Sequence, residues 1–167
     1  MDRTVTLKFL RSELLDDIRQ YAFVEADIMD AQKEHAQHQT FDIAEDGNID
    51  RVTRILSLAY SECVELLYPF SKSAVEETEQ RDDTLVEDTQ YQILLAVPET
   101  FSKSTCDLLE KYIHEYMICR VLSDWFSITK PEAAANWAAK MEDAKSGLLS
   151  SKSIRMKKVR RRCSPFG

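Results

Sequence analysis

The stretch that decides the fold is Phe101–Ser146, FSKSTCDLLEKYIHEYMICRVLSDWFSITKPEAAANWAAKMEDAKS. Apolar side chains recur in it at steps of three and four, the spacing of one face of an α-helix. In the first part these are Leu108, Leu109, Tyr112, Ile113, Tyr116, Met117, Leu122, Trp125 and Phe126, and in the second Ala133, Ala134, Ala135, Trp137, Ala138, Met141 and Ala144. A proline at position 131 starts a helix more readily than it continues one. The stretch therefore predicts a helical hairpin that turns at Lys130-Pro131 and is closed by Trp125, Phe126 and Trp137.

Two further helices are predicted before this hairpin. Residues 5–29 carry Leu7, Leu10, Leu14 and Ile18 on one face, and residues 49–68 carry a wider apolar stripe that ends before Pro69. Residues 30–46, which are rich in Gln, His and Asp, predict a loop. The chain has only three glycines and four prolines, and this scarcity argues against an all-β fold with its many turns.

One segment instead alternates with the period of a β-strand. Residues 89–97 place Tyr91, Ile93, Leu95 and Val97 on one face. A weaker alternating run begins at residue 73, so residues 73–97 predict an inserted antiparallel β-hairpin. The predicted fold is mainly α, a helical bundle of about four helices with this hairpin and an extended basic C-terminal tail. The domain covers residues 1–150, and the tail covers residues 151–167.

Charge separates that tail from the body of the protein. The tail has seven basic residues and no acidic one, whereas residues 1–150 have 15 basic and 29 acidic residues, so the net charge of −7 combines a body of −14 with a tail of +7. Such a tail can bind nucleic-acid phosphates without sequence selectivity, dock on an acidic protein, or serve as a disordered solubilising segment. Composition leaves these three alternatives open. The basic residues are Lys152, Arg155, Lys157, Lys158, Arg160, Arg161 and Arg162.

No residue pattern predicts catalysis, a metal site or a cofactor. The chain has no glycine-rich phosphate loop, no Cys-x-x-Cys pair and no HExxH motif. His35 and His38 lie three apart without further ligands nearby, and the acidic run between residues 76 and 88 lacks the spacing of a calcium loop. The four scattered cysteines favour a reducing compartment. Neither a signal peptide nor a membrane-spanning run is recognisable, so the sequence predicts a cytosolic, non-enzymatic protein with no membrane contact.

Several segments resemble a known family. They are DGNIDRV at 46–52, ECVELLYPF at 62–70, YIHEYMICRVLSDWFSIT at 112–129 and KKVRRR at 157–162. From about residue 46 onward, the chain resembles the small helical structural proteins of tailed bacteriophages and of prophages in gut bacteria. In that family two to four helices, a β-hairpin and a basic C-terminal end form a head–tail connector, also called an adaptor or neck-ring subunit.

The resemblance implies a virion structural protein without a catalytic site. It implies a homo-oligomeric ring of about twelve copies beneath the portal protein, which joins the capsid vertex to neck or tail proteins and lines the passage of packaged DNA. The protein would lie at the virion neck, and in the host cytoplasm during assembly. We expect the seven basic tail residues to contact the portal, a neighbour or DNA phosphates, and Tyr91, Ile93, Leu95 and Val97 to contact a neighbouring subunit. The alternative is a nucleic-acid- or protein-binding regulatory module that acts through its basic tail.

Overall fold

The computed structural model describes residues 2–29, 34–72 and 82–154. Within these ranges the protein is mainly α-helical with one two-stranded antiparallel sheet, which confirms the predicted fold class. The elements are β1 (Asp2–Leu10), α1 (Arg11–Asp27), α2 (Glu34–Phe41), α3 (Ile49–Leu66), β2 (Gln90–Pro98), α4 (Lys103–Thr129) and α5 (Pro131–Ile154).

The helical hairpin predicted from Phe101–Ser146 is present as α4 and α5. Ser102 caps α4, since its hydroxyl accepts the backbone N–H of Thr105 at 3.1 Å. Lys130 separates the two helices, and Pro131 is the first residue of α5. The rings of Phe126 and Trp137 lie 6.0 Å apart between centroids, so this part of the predicted aromatic contact is confirmed. Twelve residues of α4 are buried, and they make this helix the centre of the core.

The N-terminal prediction was wrong over residues 5–10, which belong to β1 rather than to a helix. In β1 the side chains of Leu7 and Phe9 are buried and those of Thr6, Lys8 and Leu10 are exposed. Leu7 fits both a helical stripe through Leu10 and Leu14 and an alternating stripe through Phe9. The β-branched run Thr4-Val5-Thr6 and the burial available against the sheet favour the second pattern. The helix α1 begins only at Arg11.

The strand predicted at residues 89–97 is confirmed as β2, but its partner in the sheet differs from the prediction. It pairs antiparallel with β1, with Val5 opposite Leu95 and Leu7 opposite Ile93. Residues 73–81, which include the other predicted strand, lie outside the described residues. The sheet of the described residues therefore joins the N-terminus to a distant part of the chain.

Two predicted boundaries also change. The loop predicted at 30–46 contains α2 and a 3₁₀ turn, Asp42–Ala44, because Thr40 and Ile43 are fully buried and bring this segment onto the helices. The Trp125 ring N–H donates to the backbone oxygen of Thr40 at 3.3 Å, so this tryptophan faces α2. At the other end α5 continues to Ile154 with Ser151 buried, so the domain boundary predicted at residue 151 falls inside a helix.

Candidate interaction site

The end of the helical hairpin at Lys130, which we call the closed end, is held by a partly buried ion pair. Lys130 is only 8% exposed, and its ammonium group donates to the backbone oxygen of Glu25 at 2.9 Å and to the Glu25 carboxylate at 2.7 Å. The Trp137 ring N–H donates to the other carboxylate oxygen at 3.0 Å. Burial disfavours the charged carboxylate, but these two hydrogen bonds and the Lys130 charge outweigh it and lower the pKa of Glu25. The closed end is thereby fastened to α1.

The opposite end of the hairpin, called the open end, is held by Lys152. Its ammonium group donates to the backbone oxygens of Leu66 and Tyr68, both at 2.8 Å. The last carbonyl groups of a helix have no partner within the helix, and a cation there also complements the helix dipole. Lys152 therefore caps the C-terminal end of α3.

This contact corrects part of the predicted partner-binding set. Lys152 was expected to bind a portal, a neighbouring subunit or DNA, but its ammonium group already serves the protein's own backbone. The other six basic residues, all between Arg155 and Arg162, lie outside the described residues. We call residues 155–162 the basic segment.

The predicted subunit contact through Tyr91, Ile93, Leu95 and Val97 is also corrected. These four side chains are between 0% and 3% exposed and belong to the core cluster of the chain itself. Their period-two spacing marks the buried face of the sheet, and α-helices of the same chain cover that face. Within the described residues, a neighbour could still contact the exposed face of the sheet or an uncovered strand edge.

The contact between His114 and Asp17 was not predicted from the sequence. The two side chains lie on α4 and α1, and His114 Nε2 is 2.8 Å from Asp17 Oδ2. A histidine held by a carboxylate is one component of hydrolytic triads. In the described part of the chain, however, no hydroxyl or thiol is hydrogen-bonded to His114. Because 97 residues separate the two positions, no local spacing could have predicted the pair.

The buried cysteines are poorly suited to nucleophilic chemistry. Cys63, Cys106 and Cys119 are free and buried. Burial, reinforced by the nearby Glu62 carboxylate, raises the pKa of Cys63 to about 12, and burial next to Glu115 raises the pKa of Cys119 to about 12. The thiolate is the reactive form of a cysteine. Both groups remain protonated at neutral pH and act as small apolar side chains.

Ion pairs between α3 and α4 differ from those inferred from helical spacing. Arg120 and Asp124 lie four residues apart on α4, a spacing at which oppositely charged side chains of a helix can pair. Asp124 instead accepts from Arg51 at 2.6 Å, and Arg120 lies 3.5 Å from Glu62. The Tyr116 hydroxyl donates to the same Glu62 carboxylate at 2.7 Å. Tertiary neighbours on α3 thus replace the local partner and brace α4.

The described residues contain no cluster of three or more His, Cys, Asp or Glu side chains that could hold a metal ion. His35 Nε2 lies 3.4 Å from the side-chain nitrogen of Gln39. The centroid of the His38 ring lies 6.3 Å from the centroid of the Phe41 ring. Among the helices of the described ranges, none is long and apolar enough to cross a membrane.

Comparison with known proteins adds no relative. No protein-family model, no curated protein and no solved structure matches this chain. Its function must therefore be inferred from the chain's own contacts and charges.

Proposed function

We propose that this protein is a non-enzymatic assembly subunit, a head–tail connector that forms a ring between a phage portal vertex and the tail and lets packaged DNA pass through it. The observation that carries the proposal is the Lys152 cap, which anchors α5 to α3 immediately before the basic segment. The resemblance of residues 46–52, 62–70, 112–129 and 157–162 to connector proteins indicates which kind of assembly this is.

The anchoring suits a protein that presents a charged segment to a partner. The closed end of the hairpin is tied to α1 through Glu25, and the open end is tied to α3 through Lys152. Since α5 is one helix of 24 residues that is held near both of its ends, its C-terminal end, after which the basic segment follows in the sequence, has a fixed position. A fixed starting point reduces the entropy that is lost when the segment binds.

Charge complementarity indicates what the segment would bind. Residues 155–162 contain six basic side chains, and no Asp or Glu follows Asp143 in the chain. The remainder of the protein is strongly acidic. A basic segment of this kind can bind an acidic surface of a portal or of a neighbouring copy, while the acidic body repels the DNA that passes it.

The test removes the basic segment and leaves the domain intact. A variant that ends at Ile154 keeps the Lys152 cap and should melt at the same temperature as the full chain. We expect the full chain to assemble on a candidate portal protein as a ring of about twelve copies, whereas the truncated variant should not bind the portal. Gel filtration and native mass spectrometry measure both properties. Full portal binding by the truncated variant would refute the proposal.

The second candidate is a nucleic-acid- or protein-binding regulatory module that acts through the basic segment. The same run of six basic residues favours it, because several phosphate contacts give strongly salt-dependent binding. A duplex DNA of random sequence distinguishes the two. Tight DNA binding that weakens about 1,000-fold between 50 and 200 mM salt and disappears in the truncated variant, without any ring or portal complex, would favour this module.

A further inference from the structure

The two outer edges of the sheet differ. In β2 the Ala96 N–H points away from β1, because it donates to the backbone oxygen of Phe70 at 2.8 Å. Ala96 lies opposite Thr4 in the register, and directly opposite residues share their orientation toward or away from the partner strand. The backbone groups of Thr4, Thr6 and Lys8 therefore point outward from β1.

The β2 edge is covered by the protein's own groups. Besides the Phe70 contact, the Tyr60 hydroxyl donates to the backbone oxygen of Gln92 at 2.7 Å. On the β1 edge, by contrast, no group in residues 2–29, 34–72 or 82–154 bonds to the outward backbone of Thr4, Thr6 or Lys8. An open edge is a template for another strand.

Little in β1 would discourage such pairing. The strand is nine residues long, contains no proline, and carries Thr4 and Thr6, which have high β-propensity, on its exposed face. Lys8 is the single exposed charge in the middle of this face. Natural edge strands are usually shortened, charged, bulged or covered. Because β1 lacks most of these protections, it is suited to pairing with another strand.

The pattern of β1 fits a second copy of itself. Antiparallel self-pairing must bring outward residues together, that is, even numbers opposite even numbers. One such register places Thr4 opposite Thr6 of the other copy and residue 2, an aspartate, opposite Lys8. It also brings the half-buried Val5 of each copy together at the two-fold axis. Opposite charges and β-branched pairs across strands are stabilising.

Neighbouring registers are less complementary. A shift by two residues would place Lys8 opposite Thr4 and the aspartate at position 2 opposite Leu10, which leaves both charges without an opposite partner. We propose that two copies of this protein pair antiparallel through β1 in the first register, so that a four-stranded sheet with the order β2–β1–β1–β2 crosses a two-fold axis. The pairing adds about eight backbone hydrogen bonds. A two-fold contact closes at two copies, and it does not rest on the proposed ring.

The decisive variant is Thr6→Pro in the full chain. Proline removes the N–H that β1 would donate to the second copy, while no backbone bond within the described chain is lost. Thr6→Ala is the matched control, since it keeps the N–H. Sedimentation equilibrium from about 1 to about 200 µM should show a dimer whose Kd rises at least about 100-fold in Thr6→Pro and changes less than about fivefold in Thr6→Ala. Circular dichroism checks that both variants fold.

A charge exchange tests the register and does not depend on the proline variant. Asp2→Lys and Lys8→Asp should each weaken the dimer about tenfold, because each places like charges opposite one another, and the double variant should return to within about threefold of the original Kd. A double variant as weak as the single ones would overturn the register. A chain that is monomeric throughout, or an oligomer of any size that Thr6→Pro leaves unchanged, would overturn the pairing. An unchanged ring in that variant would leave the connector proposal standing.

Discussion

The two ends of the α4–α5 hairpin use the same kind of side chain in different surroundings. At the closed end Lys130 is almost fully buried and bonds to a carboxylate and a carbonyl oxygen of Glu25. At the open end Lys152 is partly exposed and bonds to two backbone carbonyl oxygens. One lysine neutralises a buried charge, and the other caps a helix.

The difference predicts which end contributes more to stability. A buried charge that loses its partner is strongly destabilising, whereas an ammonium group that leaves a carbonyl near the surface is hydrated by water. Loss of the contact at the closed end should therefore cost more free energy than loss of the contact at the open end.

The largest expected effect comes from breaking the closed end. Glu25→Gln should lower the free energy of unfolding by about 3 kcal/mol, because Lys130 stays buried without its counter-charge. Glu142→Gln is the control, since Glu142 forms an exposed pair with Lys145 at 3.8 Å and should cost less than about 0.5 kcal/mol. Urea unfolding measures both values, and equal losses would contradict the assignment of the closed end as anchor.

A smaller effect is expected in the open half of the hairpin, at Gly147. A Cβ at this position would lie 2.5 Å from Cε1 of Tyr112, so the glycine allows the ring to contact the backbone of α5. Gly147→Ala should cost about 1–2 kcal/mol, since the clash exceeds the gain in helix propensity.

The matched control for that substitution is Gly47→Ala. No atom lies within 4 Å of a Cβ built at Gly47, and the glycine has no positive φ. This variant should be neutral or slightly stabilising because it restricts the unfolded chain. Thermal melting compares the two, and a Gly147→Ala variant that melts higher than the original would refute the close contact.

Removal of the open-end cap should have a milder effect. Lys152→Met should cost about 1 kcal/mol, the usual value of a favourable charge at a helix terminus. Hydrogen exchange of the backbone near Leu66 and Tyr68 should accelerate, while exchange near Glu25 should not. If Lys152→Met destabilised the protein as much as Glu25→Gln, the contrast between the ends would be wrong.

The pH dependence of stability should also distinguish the closed end from the open end. Since the folded protein lowers the pKa of Glu25, the stabilisation from its ionised form is present above the unfolded pKa of about 4.3 and is lost as the pH falls through the lower folded value. The stability difference between the original chain and Glu25→Gln should therefore shrink as the medium is acidified through this window. For Lys152→Met the difference should change little over the same range, because no carboxylate within residues 2–29, 34–72 or 82–154 contacts that ammonium group. Urea titrations at successive pH values measure both differences.

Sequence periodicity predicted the elements better than the contacts between them. The helices α3, α4 and α5 and the strand β2 each repeat their apolar side chains over many residues, so local spacing was sufficient. The strand β1 was missed because Leu7 satisfies two periods, and its partner Leu95 sits in a different part of the chain. The seven basic residues looked equivalent by composition, yet Lys152 serves the fold.

The sequence by itself determined the helical hairpin, the proline start of its second helix, the alternating face of β2, and the separation of an acidic body from a basic segment. These features depend on neighbours a few residues apart, and the geometry of helices and strands makes such spacing readable. Only the tertiary structure decided that Lys130 meets Glu25 across 105 residues, that Lys152 caps α3, and that β1 has an open edge. Those contacts join distant positions, and no local period encodes which distant groups will meet.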